Sequence, residues 1–161
     1  MQNKRIIYTS SPNGDVSVLI PAPGCGLSIE QIMEKDVPNT LTFVGEGGIP
    51  VTIETNPQIV DIADVPSDRT FRNAWFHDTT NAPQKIGIDT TKAQAVTHER
   101  RRAKRQAEFA PLDVEATIPA KATEAEAARQ AIRDRYAVLQ TEIDAATTPD
   151  ALKAIIARDG L

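Results

Sequence analysis

Pro66-Ser67-Asp68-Arg69-Thr70-Phe71-Arg72-Asn73-Ala74-Trp75 marks the point where a chain rich in short β-branched runs gives way to one rich in alanine and helix formers. Aromatic residues make up only 4% of the chain, so two within five positions mark an anchor. Phe71 and Trp75 are four apart and would share a face of a helical turn, while Arg69 and Arg72, three apart, would share another. The candidates for a packing anchor or partner contact are Asp68, Arg69, Phe71, Arg72, Asn73 and Trp75. Two arrangements are open. In one, Phe71 and Trp75 plug the open face of a small sheet and Asp68 or Thr70 caps the turn. In the other, Phe71, Arg72 and Trp75 project toward a partner, Trp and Arg being enriched at interface hot spots.

Upstream of this stretch the pattern is that of short strands. Arg5–Thr9 and Asp15–Ile20 are β-branched runs around Ser10-Ser11-Pro12-Asn13-Gly14, and Asn-Gly between apolar runs is a strong hairpin signal because both residues accept positive φ. Ser28 and Gln31 form a capping box for a short helix with Ile29, Ile32 and Met33 on its apolar side, closed by Pro38. Thr40–Val44, Val51–Glu54 and Ile59–Ile62 read as further strands. Gly45-Glu46-Gly47-Gly48 lacks the Lys and Ser/Thr of a phosphate-binding loop and reads as a hairpin turn.

Downstream the period becomes helical. Helices are expected over about 90–109, 123–146 and 149–159. Ala93, Val96, Arg100, Ala103, Ala107 and Ala110 make a mostly alanine seam on the first, which buries little area and calls for support from the β domain or another chain. Pro111 and Pro119 bracket a connector predicted to be extended. Thr123 and Glu126 read as a capping box for the second helix. The third opens at Thr148-Pro149 and ends at Gly160. The fold class is α+β: a small N-terminal β-rich domain with one short helix over 1–88, near the lower size limit for folding alone, followed by a helical C-terminal region over 89–161.

The net charge of −4 is too mild to imply a strongly charged partner. Residues 1–88 hold 6 Lys and Arg against 10 Asp and Glu, and the remainder is balanced. A single cysteine excludes an internal disulfide and fits a reducing cytoplasm. No apolar run approaches the ~20 residues of a membrane span, and the N-terminus reads as a strand rather than a signal peptide. Cys25, His77 and His98 are too dispersed for a zinc site, and Cys25 reads as a partly buried free thiol. Asp61, Asp64 and Asp68 lack the glycine and terminal Glu of a calcium loop; capping fits Asp68 better. No catalytic constellation, cofactor site or metal site is expected, and an enzyme is disfavoured.

Arg100, Arg101, Arg102, Lys104 and Arg105 form the one basic cluster, a candidate contact for phosphate or an acidic partner. Consecutive helical residues point all round the axis, Glu99 and Glu108 lie close by, and no aromatics interleave for base stacking. Nucleic acid is therefore the weaker reading, and a solvated or charge-paired face the stronger.

The decapeptide, together with Arg5–Tyr8, Asn13–Leu19, Lys35–Pro38 and the Asp61–Asp64 run, resembles small proteins encoded among the tail and virion-structure genes of tailed bacteriophages and prophages. The similarity continues at Asp89, Lys92-Ala93, Pro111-Leu112-Asp113 and Thr148–Lys153. Asn39–Pro57 is longer than the family's usual linker, so an extra hairpin is expected there. The resemblance implies a non-enzymatic virion structural protein of the tail or head–tail region. It would be made in the host bacterial cytoplasm and assemble in several copies with itself and with other tail or head–tail proteins. The alternative is a tail or tail-fibre assembly chaperone absent from the mature particle.

Overall fold

The computed structural model describes residues 3–80 and 85–161. The protein is α+β, and its chain divides into two compact units, Met1–Asp89 and Thr90–Leu161. In the first unit the element order is β1 (Lys4–Thr9), β2 (Val16–Leu19), α1 (Ile29–Asp36), β3 (Thr40–Val44), β4 (Pro50–Glu54), β5 (Gln58–Asp61), β6 (Trp75–Asp78) and β7 (Lys85–Ile88).

Strands β2, β1 and β5 form an antiparallel sheet in that order. Thr9 pairs with Val16 across the hairpin, and Lys4 pairs with Asp61 on the other side. The hairpin loop closes through backbone and side chains together, the Ser10 N–H donating to Asp15 O at 2.8 Å. The Ser11 hydroxyl donates to Asp15 Oδ2 at 2.6 Å, and only Gly14 adopts positive φ, so the Asn-Gly pair does not act as a two-residue turn.

Successive residues of a strand face opposite sides of its sheet. Ile6 and Ile7 of β1 are 0% and 1% exposed, so both faces are covered. On one face Ile6 clusters with Ile29, Ile32 and Val37, supported by Tyr8, Leu19 and Ile59. Helix α1 is seated there by its capping box, with the Gln31 N–H donating to Ser28 Oγ at 3.2 Å and the Ser28 N–H donating to Gln31 Oε1 at 2.8 Å. The opposite face meets β6, where Thr9 Oγ1 lies 2.9 Å from His77 Nδ1. The His77 N–H also donates to Gly14 O at 2.9 Å.

The β6–β7 hairpin, paired Trp75 to Ile88 through Asp78 to Lys85, has no counterpart in the sequence reading. Its strands are short and interrupted by His, Asp and Gly, and the Phe71–Trp75 spacing suggested a helical turn. The glycine has a packing reason: Gly87 lies opposite Phe76, and a Cβ there would collide with the aromatic ring. The β3–β4 hairpin forms over Asn39–Pro57 as expected. Buried Thr55 ties it to its neighbours, donating from its hydroxyl to Pro38 O at 2.7 Å and from its N–H to Asn39 O at 3.0 Å. Its carbonyl accepts from the Thr9 N–H at 2.7 Å.

The second unit consists of α2 (Thr90–Glu115), α3 (Ala122–Ala145) and α4 (Pro149–Asp159), with α2 packed on both others. Three expectations are corrected here. Helix α2 continues through Pro111 instead of ending near Phe109. The ion pair Arg129–Asp113 at 3.1 Å and the guanidinium contacts around Phe109 tie these last turns to α3, which offsets the lost hydrogen bond. The connector is not extended: the N–H groups of Ile118, Lys121 and Ala122 follow helical turns back to Glu115 and Ile118. Helix α3 accordingly starts at Ala122 with no side-chain cap. The Thr123 box does not form, because the Ala122 and Ala125 N–H groups already bond the Ile118 and Lys121 carbonyls.

The buried face of α2 is Ala93, Thr97 and Arg101, while Ala103, Ala107 and Ala110 of the expected seam are exposed. Those buried positions repeat every four residues and face the bulkier Tyr136, Leu139 and Ile143 side of α3, which supplies the apolar volume that α2 lacks. Gln94 Nε2 closes the end of α3 by donating to Ala146 O at 2.9 Å. Helix α4 has the expected ends, with Thr148 Oγ1 accepting from the Ala151 N–H at 3.2 Å and Gly160 at φ 63°.

An interior helical proline costs about 3 kcal/mol, and its restriction of the unfolded chain returns about 1 kcal/mol at most. Pro111→Ala should therefore stabilise the helical unit by roughly 1–2 kcal/mol in equilibrium denaturation. An unchanged midpoint would show that the last turns of α2 add nothing to its stability.

Candidate functional site

The Asp68–Trp75 segment folds into two successive tight turns. The Thr70 N–H donates to Asp68 Oδ1 at 2.8 Å, so Asp68 makes a local side-chain turn rather than a helix cap. One 3₁₀ turn follows over Arg72–Ala74, and Trp75 begins β6. Phe71 and Trp75 therefore do not share a helical face: the backbone has become extended by Trp75, as pairing with β7 requires. Both rings are nonetheless buried, at 1% and 4% exposure, beside fully buried Ala74. Asp68, Arg69, Arg72 and Asn73 remain exposed. The motif is thus split into an apolar half that fixes the fold and a polar half on the surface.

One consequence of this burial is an unpaired donor. The indole Nε1–H of Trp75 is buried and has no acceptor among the described residues. An unsatisfied buried donor of this kind costs about 1–3 kcal/mol.

Trp75 lines a cleft of about 360 Å³ with Arg5, Arg69 and Arg72, within the volume range of small ligand sites. Its remaining wall is largely apolar, including Val18, Ile20, Ile62, Val65 and Pro66. A second depression of about 300 Å³ shares Arg72 and Trp75 and runs beside Val16–Leu19 of β2. Sequence reasoning found Arg69, Arg72 and Trp75 but missed Arg5, Val18 and Ile20, which strand pairing brings in from far along the chain. The available signal was Arg5 itself, a cation directly before Ile6 and Ile7 at the start of a strand.

The basic cluster on α2 is divided between structural and surface roles. Arg101 is buried, donating to Tyr136 O at 3.2 Å and Gln140 Oε1 at 2.9 Å. Burial, reinforced by the neighbouring Arg102 and Arg105, lowers its pKa. Lys104 donates to Asp159 O at the end of α4, and Arg100 is half-buried. Arg102 and Arg105 remain at the surface beside a groove that also includes Gln106, Phe109 and Arg133. The Phe109 ring centroid lies 5.3 Å from the Arg105 guanidinium and 5.9 Å from those of Arg129 and Arg133. Glu126 pairs with both Arg129 and Arg133, at 3.1 and 2.7 Å. Two members of the cluster, Arg101 and Lys104, are therefore engaged inside the helical unit.

The dispersed metal-type ligands have separate surroundings. His77 sits against Thr9, and His98 Nε2 lies 2.9 Å from Asp144 Oδ1. Cys25 is exposed rather than partly buried, because it lies in a loop whose flanking Gly24 and Gly26 take positive φ and meet no neighbouring atoms. Among the described residues no three His, Cys, Asp or Glu side chains converge to hold a metal ion. None of their helices is long and apolar enough to cross a membrane. No family model, curated protein or solved structure matches this chain.

Tyr136 offers a direct test of the helical packing. Burial, helped by the hydrogen bond its hydroxyl donates to Glu108 at 3.0 Å, pushes its pKa up to about 12. A raised folded-state value means that the unfolded chain loses this proton first. The associated stability is present below about pH 10, the ordinary tyrosine value, and is lost as pH rises toward 12. Denaturation of the full chain across this range should show that decline, and Tyr136→Phe should flatten it. An identical decline in the variant would assign the slope to other groups.

Proposed function

We propose that this protein is a non-enzymatic bacteriophage virion component of the tail or head–tail region, working through multi-copy protein–protein assembly. The observation that carries the reading is the split of the Asp68–Trp75 motif. Its aromatic half is buried, whereas Arg69, Arg72 and Asn73 are held at the surface on a short, hydrogen-bonded turn. Folding alone asks nothing of two exposed arginines and an asparagine, while a partner surface would use all three. The similarity of this motif to those of small phage tail and virion proteins supports the setting.

A tail-assembly chaperone is favoured by a different observation. The β3–β4 hairpin belongs to no larger sheet among the described residues and exposes Val44 at 85% and Ile49 at 67%. A surface of this kind suits transient capping of an unassembled subunit.

Quantitative mass spectrometry of purified mature particles, referenced to the major capsid protein, separates the two readings. The structural reading expects a fixed number of copies per particle, and Arg72→Ala should lower incorporation while the isolated chain stays folded. Abundance in infected cells with absence from particles would replace it with the chaperone reading.

A further inference from the structure

Every arginine of the first unit, Arg5, Arg69 and Arg72, lines a single cleft. That unit is acidic overall, with 6 Lys and Arg against 10 Asp and Glu over residues 1–88, and no carboxylate is among the residues lining the cleft. Arg5 donates to the Lys4 carbonyl at 2.7 Å, while Arg69 and Arg72, exposed on the turn of the motif, give the cleft a positive side in an acidic domain. Arg69 and Arg72 reach this place from the exposed half of the motif, and Arg5 reaches it from β1, next to Ile6, which pairs with Leu19 at the end of β2.

The rest of the lining limits what the anion is attached to. Val18, Ile20, Ile62 and Val65 form an apolar wall, with Ile20 63% and Ile62 46% exposed. A free phosphate would leave that wall in water. The adjoining depression follows Val16–Leu19, and β2 ends its sheet, so past the Asp15–Phe76 bridge no strand pairs its outer edge among the described residues. An open strand edge beside alternating pockets is the geometry that accepts an added extended chain. Trp75 and exposed Arg72 line both depressions, which makes the two continuous along the β2 edge.

We infer that this cleft is a docking site for an extended, acidic and apolar segment of a partner polypeptide. Its carboxylate is held by Arg69 and Arg72, and its apolar side chain is placed against Val18, Ile20 and Ile62. This deepens the assembly reading by naming the chemistry of the partner, and it rests on that reading for the partner's being a polypeptide.

Trp75 is the only tryptophan, so its emission reports on the site directly. The full chain would be immobilised and offered a library of end-blocked hexapeptides combining Asp or Glu with Leu, Ile, Val or Phe. A matched library would carry Asn or Gln in place of the acids. Recovered peptides would then be titrated against the chain in solution while Trp75 emission is followed. The acidic library should be enriched, and Arg69→Gln or Arg72→Gln should weaken binding about tenfold or more, as loss of a charge-assisted hydrogen bond implies. Arg102→Gln on α2 should change nothing, and unaltered circular dichroism would show that the variants fold. Equal recovery from the two libraries, no recovery at all, or undiminished binding by both arginine variants would overturn the proposal. So would inorganic phosphate alone saturating the Trp75 response and displacing the peptides at equal concentration. Peptide selection that succeeds for a chain absent from mature particles would sink the virion reading and keep the cleft. A chain present in particles but with no peptide selection would do the reverse.

Discussion

The first unit depends on the burial of two adjacent isoleucines. Ile6 and Ile7 point to opposite faces of β1 and both are inaccessible to water. A three-stranded sheet can bury both only if each face has its own cover. Helix α1 covers one, and the segment leading into β6 is drawn to the other, where Thr9 meets His77. Everything the motif does at the surface follows from this second cover. Phe71, Ala74 and Trp75 must turn inward, and a tight turn that sends these inward sends Arg69, Arg72 and Asn73 out.

The helical unit solves a different problem. Alanine is the commonest apolar residue of α2, so little area is available for hydrophobic packing, and polar groups do part of the holding. Arg101 bonds the backbone and side chain of α3, Gln94 and Lys104 close the ends of α3 and α4, and Glu108 bonds Tyr136. Such contacts add geometric specificity more than energy, since each net hydrogen bond is worth only about 0.5–1.5 kcal/mol. They also explain why a run of positive residues that looks available in the sequence is partly committed in the fold.

Legibility in the sequence followed the range of the interactions. Features set by neighbours along the chain were readable: the Ser28–Gln31 box, the β1–β2 hairpin, and the Thr148 and Gly160 ends of α4. Those decided by distant partners were not. Pro111 normally ends a helix, yet contacts with α3 carry α2 past it. Thr123 is a good cap, but helical turns already satisfy the groups it would cap. The four-residue spacing of Phe71 and Trp75 suggested a helix, whereas pairing with β7 imposed an extended chain. For the candidate site, the arginines of the motif were visible, but strand register alone brings Arg5 and the β2 wall to them.

That register carries a further consequence for variation in the chain. The β1–β2, β3–β4 and β6–β7 pairings join strands adjacent in sequence, whereas β1 and β5 must meet with α1 and the whole β3–β4 hairpin looped out between them. Closing such a loop carries an entropy cost that grows only logarithmically, by about 0.6 kcal/mol for each doubling of its length. The Asn39–Pro57 segment can therefore lengthen or shorten at small thermodynamic expense, provided that Thr55 keeps its bonds to Thr9, Pro38 and Asn39. Residues 39–57 form a place in the scaffold that tolerates a change of length, where new surface can be added without disturbing the sheet that holds the arginine cleft.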